Sequence, residues 1–137
     1  MCSLLHVEDE DASAYLLRAA LDAAGIGVSV YRVSDGEQAL AFLNKSGVYQ
    51  KARQPDLVVL DLNMPRVDGW TVLAKIRRRE ELRDVPIVVL STSRQREDRE
   101  RSLALGARRY IIKPHDFESL VEAAASICAE FLPQAVT

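Results

Sequence analysis

The sequence predicts an α/β fold, five strand–helix units wound into one parallel sheet with helices on both faces, and three observations predict it. Leu57-Val58-Val59-Leu60 and Pro86-Ile87-Val88-Val89-Leu90 are apolar, rich in β-branched residues and free of polar interruption, as strands buried on both faces are. Stretches with apolar residues at helical spacing alternate with these runs. The chain has 137 residues without repeats or low-complexity segments, enough for one domain with a real core and too few for two of ordinary size.

Ser3-Leu4-Leu5-His6-Val7 is the first strand, and it ends abruptly in Glu8-Asp9-Glu10-Asp11. Acids there suit a helix N-terminus, whose free amides and positive dipole end they satisfy. Ala12, Tyr15, Leu16, Ala19, Ala20 and Ala23 then recur at helical spacing until Gly25. Val28 to Val33 has strand composition, Ser34-Asp35-Gly36 is a turn able to cap the next element, and Ala39, Leu40 and Leu43 mark a short helix over Glu37–Asn44. Lys45 to Gln54 is a polar surface excursion.

The third strand, Leu57–Leu60, carries Asp61 at its end, and Pro65 and Gly69 prevent regular structure from continuing. Trp70 to Arg79 is an amphipathic helix with Val72, Leu73 and Ile76 inward and Lys75, Arg77, Arg78 and Arg79 on a solvated face near its negative end. The fourth strand runs into Ser91-Thr92-Ser93. Arg94 to Leu105 is a charge-rich helix, lightly anchored by Leu103, Ala104 and Leu105, with Arg96/Glu100 and Glu97/Arg101 placed for pairing. Arg109-Tyr110-Ile111-Ile112-Lys113-Pro114 is the last strand, and it ends in a lysine. The stripe Phe117, Leu120, Val121, Ala124, Ile127, Cys128 and Phe131 makes the last helix, closed by Pro133.

For five such units the flavodoxin-like strand order 2-1-3-4-5 is the economical arrangement, and it opens a crevice between the first and third strands at their carboxyl ends. That crevice then collects Glu8, Asp9, Asp61, Ser91 and Lys113. Carboxylates so close repel one another and resist ionising. A divalent cation resolves the conflict, and oxygen ligands in small number suit Mg²⁺ better than Ca²⁺ or Zn²⁺. A metal, a carboxylate, a hydroxyl and an ammonium in one crevice suggest phosphoryl transfer.

Composition narrows the alternatives. With 48% hydrophobic and 28% charged residues and a formal charge of -2, the chain is globular, and no basic surplus implies nucleic acid. Cys2 and Cys128 stand far apart without metal or disulfide spacing and are expected to be inert and reduced. The first residues turn acidic too soon for a signal peptide and no apolar run approaches a membrane span, so a cytoplasmic protein is expected. His6 and His115 pair with no serine and acid at a recognisable spacing, which disfavours acyl-transfer hydrolysis.

These residues resemble the receiver domain of two-component response regulators. The resemblance runs from Leu4 to about Phe131 and rests on Glu8-Asp9, on Asp61-Leu62-Asn63-Met64-Pro65 with Asp68-Gly69, on Ser91, and on Tyr110 with Lys113-Pro114. It implies one receiver domain over residues 1–137, with core 4–131 and a short tail 132–137. It implies that Asp61 accepts a phosphoryl group from a histidine kinase or phosphotransfer protein. Mg²⁺ would be held by Asp9, Asp61 and the main-chain carbonyl of Asn63, with Glu8 acting through the metal's water shell. Lys113 would pair with the phosphoryl group, and Ser91 and Tyr110 would form the switch. A cis Lys113-Pro114 bond is implied as well. By this resemblance the chain is no enzyme in the usual sense, but a phosphoacceptor that assists its own Mg²⁺-dependent phosphotransfer and dephosphorylation.

Departures from the common pattern are Glu8 for aspartate, Ser91 for threonine and His115 for an aromatic. No output domain is expected past the fifth helix, so the output would be an interaction. The loop Lys45–Gln54 and the end Phe131-Leu132-Pro133 look like those of stand-alone receivers that pair with phytochrome-type kinases and dimerise through the face of the fourth and fifth helices. An exposed aromatic end would anchor such a homodimer. The alternatives are a receiver-fold scaffold or dimerisation module that is never phosphorylated, a haloacid-dehalogenase-type phosphatase, which would want aspartate at Asn63, and a flavin-binding domain, which would want a phosphate loop in place of Glu8-Asp9.

Overall fold

The computed structural model describes residues 2–62 and 68–136. Strands β1 (Ser3–Val7), β2 (Ser29–Val33), β3 (Leu57–Leu60), β4 (Ile87–Ser91) and β5 (Arg109–Ile112) form one sheet in the order β2-β1-β3-β4-β5. All neighbouring pairs are parallel, as crossover helices require. The helices are α1 (Asp11–Ala23), α2 (Gly36–Asn44), α3 (Gly69–Arg78), α4 (Arg96–Ala104) and α5 (Phe117–Phe131). The expected topology is the observed one.

Side-chain alternation along the central strands divides the core in two. Leu5, Val7, Val58, Leu60, Ile87 and Val89 point to the layer of α2 and α3, where they meet Phe42, Leu43, Val72, Leu73 and Ile76. Leu4, Leu57, Val59, Val88 and Leu90 point the other way, toward α1 and α5, and meet Leu17, Leu21, Ala124 and Ile127. Cys2 and Cys128 lie buried and free in this second layer, and burial, with the Cys2 thiol beside it, pushes the Cys128 thiol up to about 11. They are inert packing residues, as the sequence predicts.

Four local expectations are corrected. In α1 the buried residues are Leu17, Ala20 and Leu21, while Tyr15 and Leu16 are 70% and 44% exposed. The sequence offers two overlapping apolar stripes on this helix, and contact with α5 selects the one that starts at Leu17. Arg77 is no solvated cation: its guanidinium donates to the carbonyls of Gly106, Leu82, Arg83 and Val85, tying the end of α3 to the turns before β4 and β5. In α4, Leu103 and Ala104, expected to anchor the helix, are exposed, and Ser102 is buried instead, whereas the excursion Lys45–Gln54 lies on the surface as expected, with Gly47–Tyr49 as a 3-10 turn whose Tyr49 ring stands 5.3 Å from that of Phe42. The end of α5 is also no exposed anchor. Leu132 is wholly buried, Phe131 packs on its own core, and the segment beyond turns back so that Gly27 donates to Ala135 and Ile26 bridges Val136.

Candidate functional site: an acidic crevice with one lysine

The crevice residues stand one position beyond their strands with their amides still in the ladder. Glu8 N donates to Val33 O, Asp61 N to Val7 O and Lys113 N to Ser91 O, so backbone pairing fixes where each side chain starts. Gly69 closes the other side: its amide donates to Leu62 O at 3.1 Å, and a Cβ there would lie 2.6 Å from Asp61 O. Only glycine lets the start of α3 come this close to the acid-bearing turn. Asp68 caps α3 by accepting from Thr71 N.

Carboxylate oxygens of Glu8, Asp9 and Asp61 all lie within 4.8 Å of one another. Glu8 and Asp61 are buried and Asp9 is open to solvent. Lys113 Nζ reaches in to within 2.9 Å of Glu8 Oε1 and 3.4 Å of Asp61 Oδ2. Burial holds the Glu8 carboxyl above its usual range, with the Asp61 carboxylate adding to the shift and the Lys113 hydrogen bond opposing it. Desolvation and the neighbouring Glu8 raise Asp9 as well. Burial alone would lower Lys113, but its contacts with Glu8 and Asp61 outweigh that and raise it. The site thus holds crowded negative charge that one ammonium offsets in part, and its hard oxygen donors, without histidine or cysteine among them, fit a small divalent cation.

Lys113 makes these contacts through a trans peptide to Pro114, contrary to the cis bond that the resemblance implies. The trans form is the intrinsic preference by roughly 0.5–1 kcal/mol, and the lysine's stem is long enough to enter the crevice from it. Asn63, Met64 and Pro65 lie outside the described residues.

Ser91 and Tyr110 converge on one loop rather than on the acids. Ser91 Oγ, wholly buried, accepts from Ser93 N at 3.2 Å, and Tyr110 OH donates to Ser93 O at 2.8 Å. Ser93 Oγ in turn donates to Asp98 in the first turn of α4. Ser93 is therefore the hub between β4, β5 and α4, which residue type alone does not disclose.

Two further residues shape the site. Arg32 on β2 donates from Nε to Glu8 O at 2.9 Å and pairs with Asp11 at 2.6 Å, so it braces the acidic turn; the parallel register of β2 and β1 is the signal that places it. His6, two residues before Glu8 and therefore on the same face of the sheet, is buried, its Nδ1 without a hydrogen-bond partner among the described residues, beside a cavity of about 80 Å³ that Glu8, Leu16, Leu120 and Pro114 also line.

Comparison with known proteins agrees with this geometry. The family model described as response regulator receiver domain matches residues 4–125. Response regulator Rcp1 of Synechocystis sp. is 36% identical over 117 residues, 85% of this chain and 80% of its own. Among solved structures, the Mn(2+)-bound form of response regulator Rcp1 has a TM-score of 0.88 at 33% identity, covering 96% of this chain and 95% of its own. The phosphorylated cyanobacterial phytochrome response regulator RcpA has a TM-score of 0.90 at 36% identity, covering 98% and 96%.

Proposed function

The chain belongs to the response regulator receiver family, and from that premise we propose that Asp61 is a phosphoacceptor supplied by a histidine kinase or a phosphotransfer protein. The observation that carries the reading is the meeting of Glu8, Asp9 and Asp61 within 4.8 Å, with Lys113 Nζ on the first and last of them. Attack by an Asp61 oxygen on phosphorus forms an acyl phosphate as the P–N bond to the donor imidazole breaks, and the imidazole nitrogen takes a proton as it leaves. Glu8, Asp9 and Asp61, with the carbonyl of Asn63, would hold Mg²⁺, which when bound neutralises charge on the transferring group. The Mn(2+)-bound relative supports a divalent ion in such a site.

Lys113 is already beside Asp61 and needs only to exchange its carboxylate contacts for phosphoryl oxygens. Ser91 accepts a hydrogen bond but still carries its own proton, so it is free to donate to the phosphoryl group. Turning inward costs it the Ser93 amide, which loosens the hub that holds Tyr110 and Asp98. One charge event at Asp61 thereby biases the β4–α4 loop and α4, a two-state switch. Its output is an interaction: a homodimer through the α4–β5–α5 face, where Leu103 and Ile112 are exposed, and pairing with a kinase of the phytochrome type, as the RcpA relative suggests.

The test is intact-protein mass after incubation with acetyl phosphate, with Mg²⁺ and with chelator, beside size-exclusion chromatography. One Mg²⁺-dependent adduct is expected on the wild type and none on Asp61→Asn, with a change of elution on phosphorylation. A folded wild-type protein that takes no adduct under either condition would turn the reading to the unphosphorylated scaffold.

A further inference from the structure

We propose that the groove between α3 and α4 is a docking site for an acidic, amphipathic segment of a partner protein. The groove contains no residue of the acidic crevice, so the inference goes beyond the phosphoryl-transfer reading. Its floor is apolar, made by Trp70, Ala74 and Leu105, and its rim is cationic, made by Lys75 and Arg78 of α3 and Arg101 of α4, around a cavity of about 260 Å³. Among the described residues none of these three cations has a carboxylate within ion-pair distance. Of the acids of α4, Glu100 pairs with Arg96 and Asp98 accepts from Ser93, while Glu97, expected from its spacing to pair with Arg101, makes no ion pair with it among the described residues. In a chain of formal charge -2, such an uncompensated cationic rim calls for an anionic occupant.

The nature of that occupant is set by how Trp70 and Arg101 are held. Trp70 Nε1 donates to Ser102 Oγ at 3.2 Å, Ser102 Oγ donates to Asp98 O at 2.8 Å, and the Arg101 guanidinium lies 4.1 Å from the indole centroid. Stacking fixes the guanidinium as a planar fork with its edge N–H groups free, the arrangement that binds carboxylates in two-point fashion. The same stacking covers the indole face, which removes the platform a nucleobase would need. A bare inorganic anion fares no better, because Arg78 and Lys75 sit on the C-terminal half of α3, where the helix dipole is negative and no free amides point outward. A peptide that sets one apolar side chain against Ala74, Leu105 and the part of Trp70 that Arg101 leaves uncovered, and spreads its carboxylates over the three cations, satisfies floor and rim together.

Trp70 is the single tryptophan of the chain, so its emission reports groove occupancy directly. The probe is a synthetic amphipathic peptide of about 15 residues with a Leu-Phe anchor flanked by Glu. Its Gln counterpart, its Lys counterpart, inorganic phosphate and a single-stranded oligonucleotide are run beside it. The Glu peptide should shift Trp70 emission saturably and bind at least about tenfold tighter than the Gln peptide. The variant Lys75→Glu/Arg78→Glu, altered only at exposed positions, should lose at least about tenfold toward the Glu peptide, gain affinity for the Lys peptide, and still accept phosphate from acetyl phosphate. Equal affinity for the Glu and Gln peptides, no saturable shift, an unaffected variant, or tighter binding of phosphate or oligonucleotide would each overturn the proposal.

Discussion

His6 is buried on β1 between the acidic turn and the α1–α5 layer, and its protonation is controlled by that position. Burial first, then the positive charges of Lys113 and Arg32, push its imidazole down to about 3 from an ordinary 6.5. The folded chain therefore keeps His6 neutral where the unfolded chain protonates it. Because the folded value is the depressed one, the stability is fully present above about pH 6.5 and is lost as pH falls toward about 3, by roughly 1.4 kcal/mol per pH unit inside that window. Glu8 works with the opposite sign, since its raised carboxyl lets the folded state hold a proton longest, and acidification through that range favours folding. Comparing urea unfolding of wild type and His6→Leu in chelator isolates the histidine. Between about pH 7 and pH 5 the variant should lose about 1–2 kcal/mol less than the wild type, and parallel pH profiles would refute the assignment. Gly69 carries a second residue-scale prediction. A methyl there would meet the main-chain atoms Asp61 O and Leu62 Cα, each at 2.6 Å, and neither can rotate away. Gly69→Ala should cost about 1–3 kcal/mol and slow phosphoryl uptake from acetyl phosphate, because relief comes only by moving the turn that carries Asp61. Wild-type stability together with a wild-type rate would show that the turn yields freely.

At the scale of elements, α4 stands apart from its neighbours. Its only buried residue is Ser102, whereas α3 buries Val72, Leu73 and Ile76 and α5 buries Ala124, Ile127 and Cys128. What holds α4 is polar: the Ser93–Asp98 and Trp70–Ser102 hydrogen bonds and the Arg101–Trp70 stack. An element held by a few directional contacts opens locally at low cost and is moved by a change in one of them. Amides of Arg96–Ala104 should exchange with deuterium at least about tenfold faster than those of α3 and α5, and phosphorylation should alter exchange most there and in the β4–α4 loop. Protection of α4 equal to that of α5 would contradict this. The light anchoring of α4 was legible in its charge-rich sequence, as were β3 and β4, whose uninterrupted apolar runs suit strands buried on both faces. The buried face of α1 was not, because two stripes of similar hydropathy overlap and only contact with α5 chooses between them. The role of Arg77 was illegible for a different reason: its partners are main-chain carbonyls of two turns, one nearby and one 29 residues away, and main-chain groups leave no mark on residue type.

Across the whole molecule the parallel sheet separates chemistry from stability. Strand order alone brings Glu8, Asp61 and Lys113 together at the carboxyl ends, so the acidic crevice could be read from the strand-ending residues once the order was inferred. The Ser93 hub and the Arg32 brace could not, since they depend on loop conformation and on which edge of β1 takes β2. At the opposite, amino end of the sheet the chain closes on itself. Leu132 is fully buried among Cys2, Leu4, Ile26 and Cys128, and the last residues return so that Gly27 N donates to Ala135 O at 2.9 Å. Within the segment expected to be a short tail, Leu132 and Ala135 are thus part of the second core. Truncating its leucine should open a cavity far from the acids, with a cost of about 2–4 kcal/mol that the surroundings relieve only in part. Leu132→Ala is expected to lower the urea midpoint by that amount and yet take up phosphate from acetyl phosphate at the wild-type rate under native conditions. Asp61→Asn should do the reverse: it abolishes the adduct, and in chelator it leaves stability unchanged or raised, because one of three crowded carboxylates is gone. If Leu132→Ala slowed phosphoryl uptake while still folded, the two ends of the sheet would be coupled through β1 and α5, and the separation would fail.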